Sequence, residues 1–284
     1  MPEGPELKIS VDFIRKKLVN QNIRLEIIAG RYTRHPLMNL NKVTFPIKVK
    51  SINLKGKFIY FEFYDTELTL WVTFGMSGHF VENNDESSPY TNSKHNNIVF
   101  HYGHKKLYFQ DYRNFGTFKF VLTRKELDKK LNKLGLDLMD INTKFEDFYN
   151  IIVGKRANSK IAEALLEQRY FCGIGNYCRS EALYLSKINP CKKVKDLSVD
   201  ELKNLFHNIR VVLFYHYNVQ YGMDNEIILK RDLKYLPFNE GGNGKRYVFY
   251  FVVYQQEVDP LGNKVSRTKD KNNRMIHWIP SIQK

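Results

Sequence analysis

The chain has 284 residues, 43% of them hydrophobic, so it is long enough to fill the cores of two domains. Its 45 lysines and arginines against 30 acidic residues give a formal net charge of +15, which favours a polyanionic partner, with a generally basic proteome as the alternative. No apolar run reaches the ~20 residues that a membrane span needs, and no signal peptide precedes the acidic start, so neither a membrane protein nor a secreted one is expected.

The chain opens with MPEGPELKIS, and an amphipathic helix is predicted to begin here. Pro5 suits a first helical turn, where its missing N–H is not needed. The apolar residues Leu7, Val11, Ile14 and Leu18 recur at spacings of 4, 3 and 4, which indicates one helix face. This face is expected to pack on a core.

Short β-type runs fill residues 22–121. They are NIRLEIIAG, FIYFEFY, TLWVTF, NIVFHY, KLYFQDY and TFKFVL, separated by Gly, Asn, Asp and Pro turns. This pattern is typical of a sandwich or barrel, and the polar stretch ENNDESSPYTNSKHNN within it predicts a loop. We therefore assign residues 1–121 to an N-terminal domain made of a helix and a β-sandwich.

From about residue 122 the hydrophobic period becomes helical, in TRKELDKKLNKLG, SKIAEALLEQRY, SEALYLSKI and SVDELKNLFHNIRVVLFYHY. Ser198 is the expected N-cap of the last of these helices. We predict a linker over 122–130, a helical domain over 131–240 and a C-terminal segment over 241–284. In that last part YVFYFVVYQQEV restores β character after the flexible link NEGGNGK, so the fold class is α+β.

The cysteines and paired histidines give little support for a metal site. Cys172, Cys178 and Cys191 form neither a C-x-x-C pair nor an even disulfide set, so they fit packing residues in a reducing compartment. His101 and His104 in HYGH have a spacing that suggests a metal, but two histidines without further ligands are more often a coincidence.

The amino terminus has a specific chemical use. Removal of the initiator Met would leave Pro2 with a free secondary amine, and an α-amine titrates near about 7.7 to 8.0. Such an amine attacking a sugar C1′ gives a cationic imine that acidifies the C2′ hydrogen. Glu3 and Glu6 could relay protons, and Glu6 in a first helical turn is also favoured by the helix dipole. The alternative is an ordinary chain start with a common first-turn acid.

Several segments occur together in one known order. The start MPEGPE resembles that of the formamidopyrimidine-DNA glycosylase/endonuclease VIII family of base-excision repair enzymes, as do LKGKFIYFEF, TFGMSGHF, DYRNFGTFKF and LLEQRYFCGIGNYCRSEALY. The tail VDPLGNKVSRTKDKNNRMIHWIP is a weaker match. The resemblance runs almost the whole length of the chain.

The resemblance implies catalytic roles for four residues. Pro2 would be the nucleophile that displaces the damaged base and forms a Schiff base, Glu3 the acid that opens or protonates the deoxyribose ring, and Glu6 a support for that geometry. Lys57 would project from a strand into the cleft, where it would stabilise phosphates and assist elimination. Without the resemblance, a strand-edge lysine that guards against aggregation is the better interpretation.

Met76, Arg113 and Phe115 match the family residues that fill the hole left by a nucleotide turned out of the duplex. Extruding a base costs on the order of a few kcal/mol, which an inserted thioether and ring partly recover, while a guanidinium can bind the orphaned base. The alternative for Met76 and Phe115 is a core position. Asn114 stands where many relatives carry a second arginine.

The segment CGIGNY resembles the helix–two-turn–helix element of the family. Gly173 and Gly175 permit a tight turn, and Asn176 would open the next helix at a DNA phosphate. The alternative is a helical hairpin with a Gly C-cap. His95 aligns with a family histidine that contacts DNA, with polar surface as its alternative.

Bacterial members of the family close with a four-cysteine zinc finger, whereas residues 241–284 contain no cysteine. The segment keeps a β-hairpin layout and looks like the zincless finger of certain animal, plant and viral endonuclease VIII-like enzymes. That resemblance puts Arg274 at its tip, with Tyr254, Met275 and Trp278 as candidates to hold the hairpin by packing and Tyr254 also as a DNA-binding residue. A disordered basic tail is the alternative.

Taken together, the resemblance implies a bifunctional DNA glycosylase and AP lyase that excises oxidised pyrimidines and ring-opened purines through a Pro2 Schiff base and β,δ-elimination. No metal or organic cofactor is expected. The expected partner is damaged double-stranded DNA, with single-stranded DNA possible, bound by a monomer inside the cell wherever that DNA lies. The alternative is a non-catalytic DNA-binding or architectural protein, against which the retained Pro2, Glu3, Glu6 and Lys57 count. The base-gripping loop, somewhere in 217–245, matches no usable pattern.

Overall fold

The computed structural model describes residues 2–83, 94–221 and 250–284. The middle of the predicted polar loop, the predicted link NEGGNGK and almost all of the predicted base-gripping loop lie outside the described residues.

The chain forms two compact units. One consists of residues 1–2 and 6–133, and the other of residues 3–5 and 134–284. The first helix, α1 (Gly4–Leu18), therefore begins in the second unit and continues in the first.

The strands of the first unit are β1 Asn22–Ile27, β2 Ile47–Lys55, β3 Phe58–Phe63, β4 Thr69–Thr73, β5 His79–Asn83, β6 Asn96–Tyr102, β7 Lys105–Gln110 and β8 Thr117–Val121. Among the described residues they form one antiparallel sheet of eight strands in the order β5-β7-β6-β1-β2-β3-β4-β8. β1 and β2 pair through just two residues each, so the sheet consists of two four-stranded halves.

The two halves of the sheet and α1 share one hydrophobic core. The rings of Phe61 and Phe100 stack with 5.9 Å between centroids, and those of Phe109 and Phe118 meet at 4.6 Å. Each pair joins one half to the other, so the predicted sandwich is confirmed. The predicted apolar face of α1 is confirmed as well, since its four residues are at most 1% exposed: Leu7, Val11, Ile14 and Leu18.

Two strands of the first unit, β2 and β5, have no counterpart in the sequence-based prediction. In β2 a bulge between Val49 and Ser51 shifts the register against β3. The buried residues Val49 and Ile52 are therefore three positions apart, which breaks the two-residue period that identifies strands. β5 is short and leads directly into the polar stretch predicted as a loop.

Residues 122–130, predicted as a linker, lie largely within the run TRKELDKKLNKLG, and its predicted helical character is confirmed by helix α2 (Arg124–Leu131). Thr123 caps the helix, because its side chain accepts the N–H of Glu126. Leu127 is fully buried, which packs α2 into the first unit. The cap and the buried leucine therefore make these residues a packed helix of the first unit.

The second unit is helical, as predicted. Its elements are α3 Phe145–Arg156, α4 Ile161–Leu165, α5 Asn176–Leu185, α6 Val199–Tyr221 and the paired short strands β9 Leu136–Asp137 and β10 Phe171–Cys172. The predicted N-cap of α6 is confirmed, because Ser198 Oγ accepts the N–H of Glu201 at 3.1 Å and the Glu201 carboxylate accepts the N–H of Ser198 at 2.7 Å. None of the described helices combines the length and the apolar character needed to cross a membrane.

The C-terminal segment ends in an antiparallel hairpin of β11 (Ser266–Lys269) and β12 (Met275–Trp278), in which Trp278 Nε1 donates to Thr268 Oγ1 at 3.0 Å. The β character predicted for YVFYFVVYQQEV is wrong over its described part, 250–258, which contains no strand. The N–H groups of residues 252–254 bind the carboxylate of Glu181 instead, so they are not available to a sheet.

Candidate active site

Glu3, the predicted ring-opening acid, is buried at the N-terminus of α5. Its carboxylate accepts the N–H of Tyr177 at 2.9 Å and that of Cys178 at 3.2 Å, and the residue is 2% exposed. N–H groups in the first turn of a helix have no intrahelical acceptor, and the helix dipole favours an anion there. The fold therefore fixes the Glu3 carboxylate in one position.

The approach of Glu3 explains the glycines of CGIGNY. A Cβ atom on Gly175 would lie 2.1 Å from Cδ of Glu3, so only glycine fits beside this carboxylate. Gly173 has φ +93°, and its carbonyl accepts the N–H of Gly4 at 2.9 Å. The predicted tight turn therefore also contacts residues 3 and 4, since Gly175 packs against Glu3 and Gly173 accepts the N–H of Gly4.

Pro2, Glu6 and Lys57 belong to the first unit, whereas Glu3 belongs to the second. Pro2 is half-buried and directly precedes Glu3, and Glu6 lies in the first turn of α1 as predicted. The predicted strand position of Lys57 is wrong. Lys57 is the second residue of a two-residue turn between β2 and β3, whose first residue, Gly56, has the φ of +60° that such a turn requires. Lys57 therefore lies at a hairpin end and not on a sheet face.

A buried aspartate, Asp111, organises the loops that carry the predicted void-filling residues. Its carboxylate accepts the hydroxyl of Ser77 in a short hydrogen bond, the N–H of Arg113 at 3.2 Å and the N–H of Gly116 at 2.6 Å. The N–H of Arg113 also reaches Ser77 Oγ at 2.9 Å. One carboxylate therefore joins the loop after β4 to the loop after β7.

Met76, Arg113 and Phe115 lie together on these two loops. Met76 is 39% exposed and Phe115 is 52% exposed, so neither is a core residue. The guanidinium of Arg113 lies over the Phe115 ring, 5.2 Å from its centroid. A Cβ on Gly75, which has φ +61°, would come within 2.5 Å of the Phe115 carbonyl carbon, so glycine lets the two loops touch.

Three aromatic rings lie in a row next to Arg113. Tyr112 is half exposed, stacks on His79 with 6.0 Å between centroids and meets His95 at 4.3 Å. The carbonyl of His95 accepts the N–H of Asp111 at 3.1 Å. His95 is therefore half-buried beside the loop that carries Arg113, and its neighbour Tyr112 has a half-exposed ring, of the kind that can stack on a base.

Asn176 opens α5 as predicted, and it also joins α5 to the C-terminal hairpin. Its Nδ2 donates to the carbonyl of Met275 at 2.8 Å. Arg274, the predicted tip residue, directly precedes Met275 and lies exposed in the turn between β11 and β12. The tip turn is thus fastened to the same helix end that holds Glu3.

Tyr254 is half-buried, with its ring 5.1 Å from that of His277. Its N–H and those of Val252 and Val253 donate to the buried carboxylate of Glu181 at 2.8 to 3.0 Å. Burial raises the pKa of Glu181 to about 7, although these three N–H groups act in the opposite direction. Tyr254 therefore belongs to the attachment of the C-terminal segment to α5.

Three buried charges that organise these parts are not among the residues predicted from the sequence, namely Asp111, Arg179 and Glu181. Arg179 is fully buried and pairs with Asp270 at 2.8 Å. The sequence does contain a signal for Arg179 and Glu181. Both lie among the apolar residues of the run NYCRSEALYL, and a charge buried in such a run needs a partner. Asp111 follows the apolar strand β7 and begins a turn, where an Asp side chain commonly binds backbone N–H groups.

The zinc finger of the bacterial members does not fit this chain. Cys172 lies in β10, Cys178 in α5 and Cys191 in the loop after it, and the C-terminal segment contains no cysteine. Within the part of the chain that the structure describes, no group of three or more His, Cys, Asp or Glu side chains could hold a metal ion. The described residues of the C-terminal hairpin therefore contain no cysteine and no group of three side chains that could bind zinc.

Known proteins match this chain over nearly its whole length. The formamidopyrimidine-DNA glycosylase N-terminal, H2TH and C-terminal domain models match residues 1–118, 134–222 and 244–284. The formamidopyrimidine-DNA glycosylase of Rickettsia conorii is 30% identical over 220 residues, which cover 75% of this chain and 77% of that one. This chain belongs to the formamidopyrimidine-DNA glycosylase family. Another relative, the formamidopyrimidine-DNA glycosylase of Pelotomaculum thermopropionicum, is 27% identical and covers 100% of this chain and 99% of its own.

Solved structures of the family have the same fold. The Lactococcus lactis Fpg in complex with DNA containing an abasic site matches with a TM-score of 0.76 and 23% identity over 99% of both chains. MutM in complex with DNA containing carbocyclic 8-oxo-G matches with a TM-score of 0.75 and 23% identity over 100% of both chains. At this identity the likeness concerns the α+β fold.

Proposed function

We propose that this chain is a bifunctional DNA glycosylase and AP lyase that excises oxidised bases from damaged DNA, acting as a monomer. Its membership of the formamidopyrimidine-DNA glycosylase family supports this class of reaction. The observation that carries the proposal is the sequence Pro2-Glu3, in which the Glu3 carboxylate is buried and held by two N–H groups of α5. Binding alone requires neither a proline amine nor a fixed acid beside it.

Pro2 is the nucleophile once the initiator Met has been removed. Its nitrogen bonds to C1′ as the bond from C1′ to the damaged base breaks, and the base leaves with a proton. The Glu3 carboxylate takes the proton of the Pro2 nitrogen now bound to C1′ and passes it to the ring oxygen, the sugar opens, and a cationic imine remains at C1′. Loss of the C2′ proton expels the 3′ phosphate, and a second elimination expels the 5′ phosphate. Hydrolysis of the imine then restores the free amine.

Lys57, Arg274 and Glu6 assist these steps. Lys57 at its hairpin end supplies a cation for the phosphates beside the lesion and for the proton transfers of elimination. Arg274 contacts the lesion phosphates from the exposed tip turn. Glu6 supports the position of the N-terminal residues from the first turn of α1.

Met76, Arg113 and Phe115 occupy the gap that the extruded nucleotide leaves. Their exposure on two loops fastened by one carboxylate supports this role, because an inserted side chain must be both accessible and fixed. His95 extends the contact to the DNA next to this gap.

Asn176 and Tyr254 complete the DNA-binding set in the second unit. Asn176 is the first residue of α5 and precedes the two N–H groups that bind Glu3, so its own backbone N–H and side-chain amide are the groups proposed to meet a backbone phosphate. Tyr254 is half-buried in the attachment of the C-terminal segment, and its ring can contact the bound strand.

We further propose that the chain acts as a zincless-finger, endonuclease VIII-like enzyme on oxidised pyrimidines and ring-opened purines. The absence of cysteine from 241–284 supports this branch. Duplex and single-stranded oligonucleotides that each carry one defined lesion would test it. We expect oxidised pyrimidines and ring-opened purines to be excised faster than 8-oxoguanine, and a clear preference for 8-oxoguanine would contradict the assignment. EDTA is expected to leave the rate unchanged, and a loss that zinc restores would contradict the metal-free finger.

Cleavage of DNA at a preformed abasic site tests the proposed chemistry. Lys57→Ala is expected to slow cleavage by roughly 10²-fold, the usual contribution of one positioned acid or base. Lys105→Ala is the matched control. Lys105 directly follows a similar two-residue hairpin turn, residues 103–104, whose first residue, Gly103, has φ +54°. A chain that binds the abasic duplex but never cleaves it would be the non-catalytic DNA-binding protein of the alternative interpretation.

A further inference from the structure

The first of two turns in the C-terminal segment is organised by Asp259. Its Oδ1 accepts the N–H of Leu261 at 2.9 Å and that of Asn263 at 2.8 Å, two and four residues later. Its own N–H donates to the carbonyl of Asn263 at 2.9 Å, and Gly262 has φ +82°. The turn is closed by one carboxylate and the backbone.

The second turn, which carries Arg274, repeats this design residue for residue. Asp270 Oδ1 accepts the N–H groups of Asn272 and Arg274, again two and four residues later, at 2.9 Å each. The N–H of Asp270 donates to the carbonyl of Arg274 at 3.0 Å, and Asn273 has φ +61°. The two turns therefore share their backbone N–H hydrogen bonds, and in the first turn Nδ2 of Asn263 also donates to Oδ1 and Oδ2 of Asp259, at 3.2 and 3.0 Å.

The turns differ in what their second carboxylate oxygen binds. Asp259 Oδ2 accepts the hydroxyl of Tyr184 at 2.9 Å. Asp270 Oδ2 accepts Nη1 of Arg179 at 2.8 Å, and both of these side chains are almost completely buried. The remaining hydrogen bond of Nη1 goes to the carbonyl of Ala162 at 3.1 Å, while Nε and Nη2 of Arg179 are buried without a hydrogen-bond partner among the described residues. Asp270 is thus the carboxylate that hydrogen-bonds this buried cation.

The tip turn is fastened to α5 on both sides of Arg274. Asp270 binds Arg179 before it, and the carbonyl of Met275 accepts Nδ2 of Asn176 after it. Asn176 and Arg179 are three residues apart on α5, so they lie on one face of the helix. The exposed side chain of Arg274 therefore projects from a turn whose two ends are fixed to the same helix.

We propose that the buried pair of Asp270 and Arg179 positions Arg274, and that it replaces a metal ion as the element that fixes the fingertip. This inference rests on the proposed function, in which Arg274 contacts the phosphates at the lesion. Burial opposes the ionisation of Asp270, but the N–H of Arg274 and the guanidinium of Arg179 outweigh it and lower the pKa of Asp270. The carboxylate is accordingly charged at neutral pH, as the pairing requires.

A double-mutant cycle between the buried pair and the tip residue tests the proposal. Asp270→Asn alone keeps the acceptor of the turn but strands the buried Arg179, so the variant Arg179→Met/Asp270→Asn removes both charges together. The variant Asp270→Asn and the variant Arg179→Met/Asp270→Asn are each combined with Arg274→Ala. Single-turnover cleavage of an abasic duplex is then measured for every variant. Asp259→Asn is the matched control, because it alters the same kind of turn away from the tip.

We expect Arg274→Ala to slow cleavage by about 10²-fold. The variant Arg179→Met/Asp270→Asn, in which the pair is neutralised, is expected to cleave at a rate within about threefold of that of Arg274→Ala. Adding Arg274→Ala to the neutralised pair is expected to slow cleavage by less than about a further threefold, because an Arg274 that is already displaced no longer contributes to the rate. Asp259→Asn is expected to change the cleavage rate by less than about threefold. Its effect on the rate and that of Arg274→Ala are expected to multiply in the combined variant. Multiplicative effects for the pair as well, or full activity without it, would overturn the proposal.

The affinity for a duplex that contains a non-hydrolysable abasic analogue separates this inference from the proposed function. If the native chain binds this duplex but does not cleave abasic DNA, the proposed chemistry fails, and the same cycle measured in affinity still decides whether the pair positions Arg274. If the chain cleaves DNA and the cycle is multiplicative in both measurements, the proposed chemistry stands and the positioning role is rejected.

Discussion

At the scale of single residues, the N-terminal chemistry depends on one steric requirement. Glu3 is buried against the first turn of α5, and its carboxylate occupies the space that any side chain at position 175 would need. The φ of Gly175 is −132°, which every residue can adopt, so glycine is required here for space and not for backbone freedom.

The variant Gly175→Ala tests this requirement. We expect it to lower the free energy of unfolding by about 1–3 kcal/mol, as overpacking does, and to slow cleavage of abasic DNA because Glu3 is displaced. Gly154→Ala in α3 is the matched control, since a Cβ there meets no atom within 4 Å and should stabilise the helix by about 0.5–1 kcal/mol. Denaturant unfolding and a cleavage assay measure both effects. Equal behaviour of the two variants would show that the Glu3 contact is unimportant.

The residues that the sequence motifs identify differ from those that only the structure identifies. Pro2, Glu3 and Asn176 stand in sequence motifs, so they could be proposed without a structure. Asp111 also binds Ser77, and Arg179 binds Asp270; both of these partners are distant in sequence, so no local pattern predicts the two pairs.

At the scale of elements, the predicted strands are runs rich in apolar and aromatic residues, several of them buried at consecutive positions, whereas a strand poorer in such residues is identified by a two-residue period. β2 departs from that period because of its bulge, and residues 250–258 are apolar without being a strand because Glu181 binds their N–H groups. The errors therefore occur where a long-range interaction outweighs the local pattern.

The attachment of the C-terminal segment to α5 should respond to pH through Glu181. Its pKa is raised to about 7 in the folded protein, above the ordinary value of 4.5, so the folded state holds more protons between these values. Stability is therefore expected to fall as the pH rises from about 5 to about 8, by roughly 3 kcal/mol at most.

Denaturant unfolding of the native chain and of Glu181→Gln at several pH values checks this expectation. The variant is less stable overall, because an amide cannot accept all three N–H groups, but it lacks the titrating carboxyl. The difference in stability between the two proteins should therefore shrink with rising pH. A difference that stays constant would mean that Glu181 does not titrate in this range.

At the scale of the whole molecule, the formal charge of +15 makes phosphate contacts the main expected source of affinity. Binding of an abasic duplex should weaken by about a thousandfold or more between about 50 and about 200 mM salt. Arg274→Ala should reduce the slope of log K against log salt by about 1. Lys192→Ala is the control that should leave the slope unchanged, because Lys192 is already paired with Glu201 at 2.8 Å. A salt-independent affinity would contradict phosphate-driven binding.

The most direct test of the central claim is to locate the covalent bond between enzyme and DNA. The native chain is incubated with abasic DNA and borohydride, and the adduct is digested and analysed by mass spectrometry. We predict that the sugar is attached to the nitrogen of Pro2 in the N-terminal peptide, and that a chain extended ahead of Pro2 forms no adduct while still binding the duplex. An adduct on a lysine, or none at all with the native chain, would contradict the claim that Pro2 is the nucleophile.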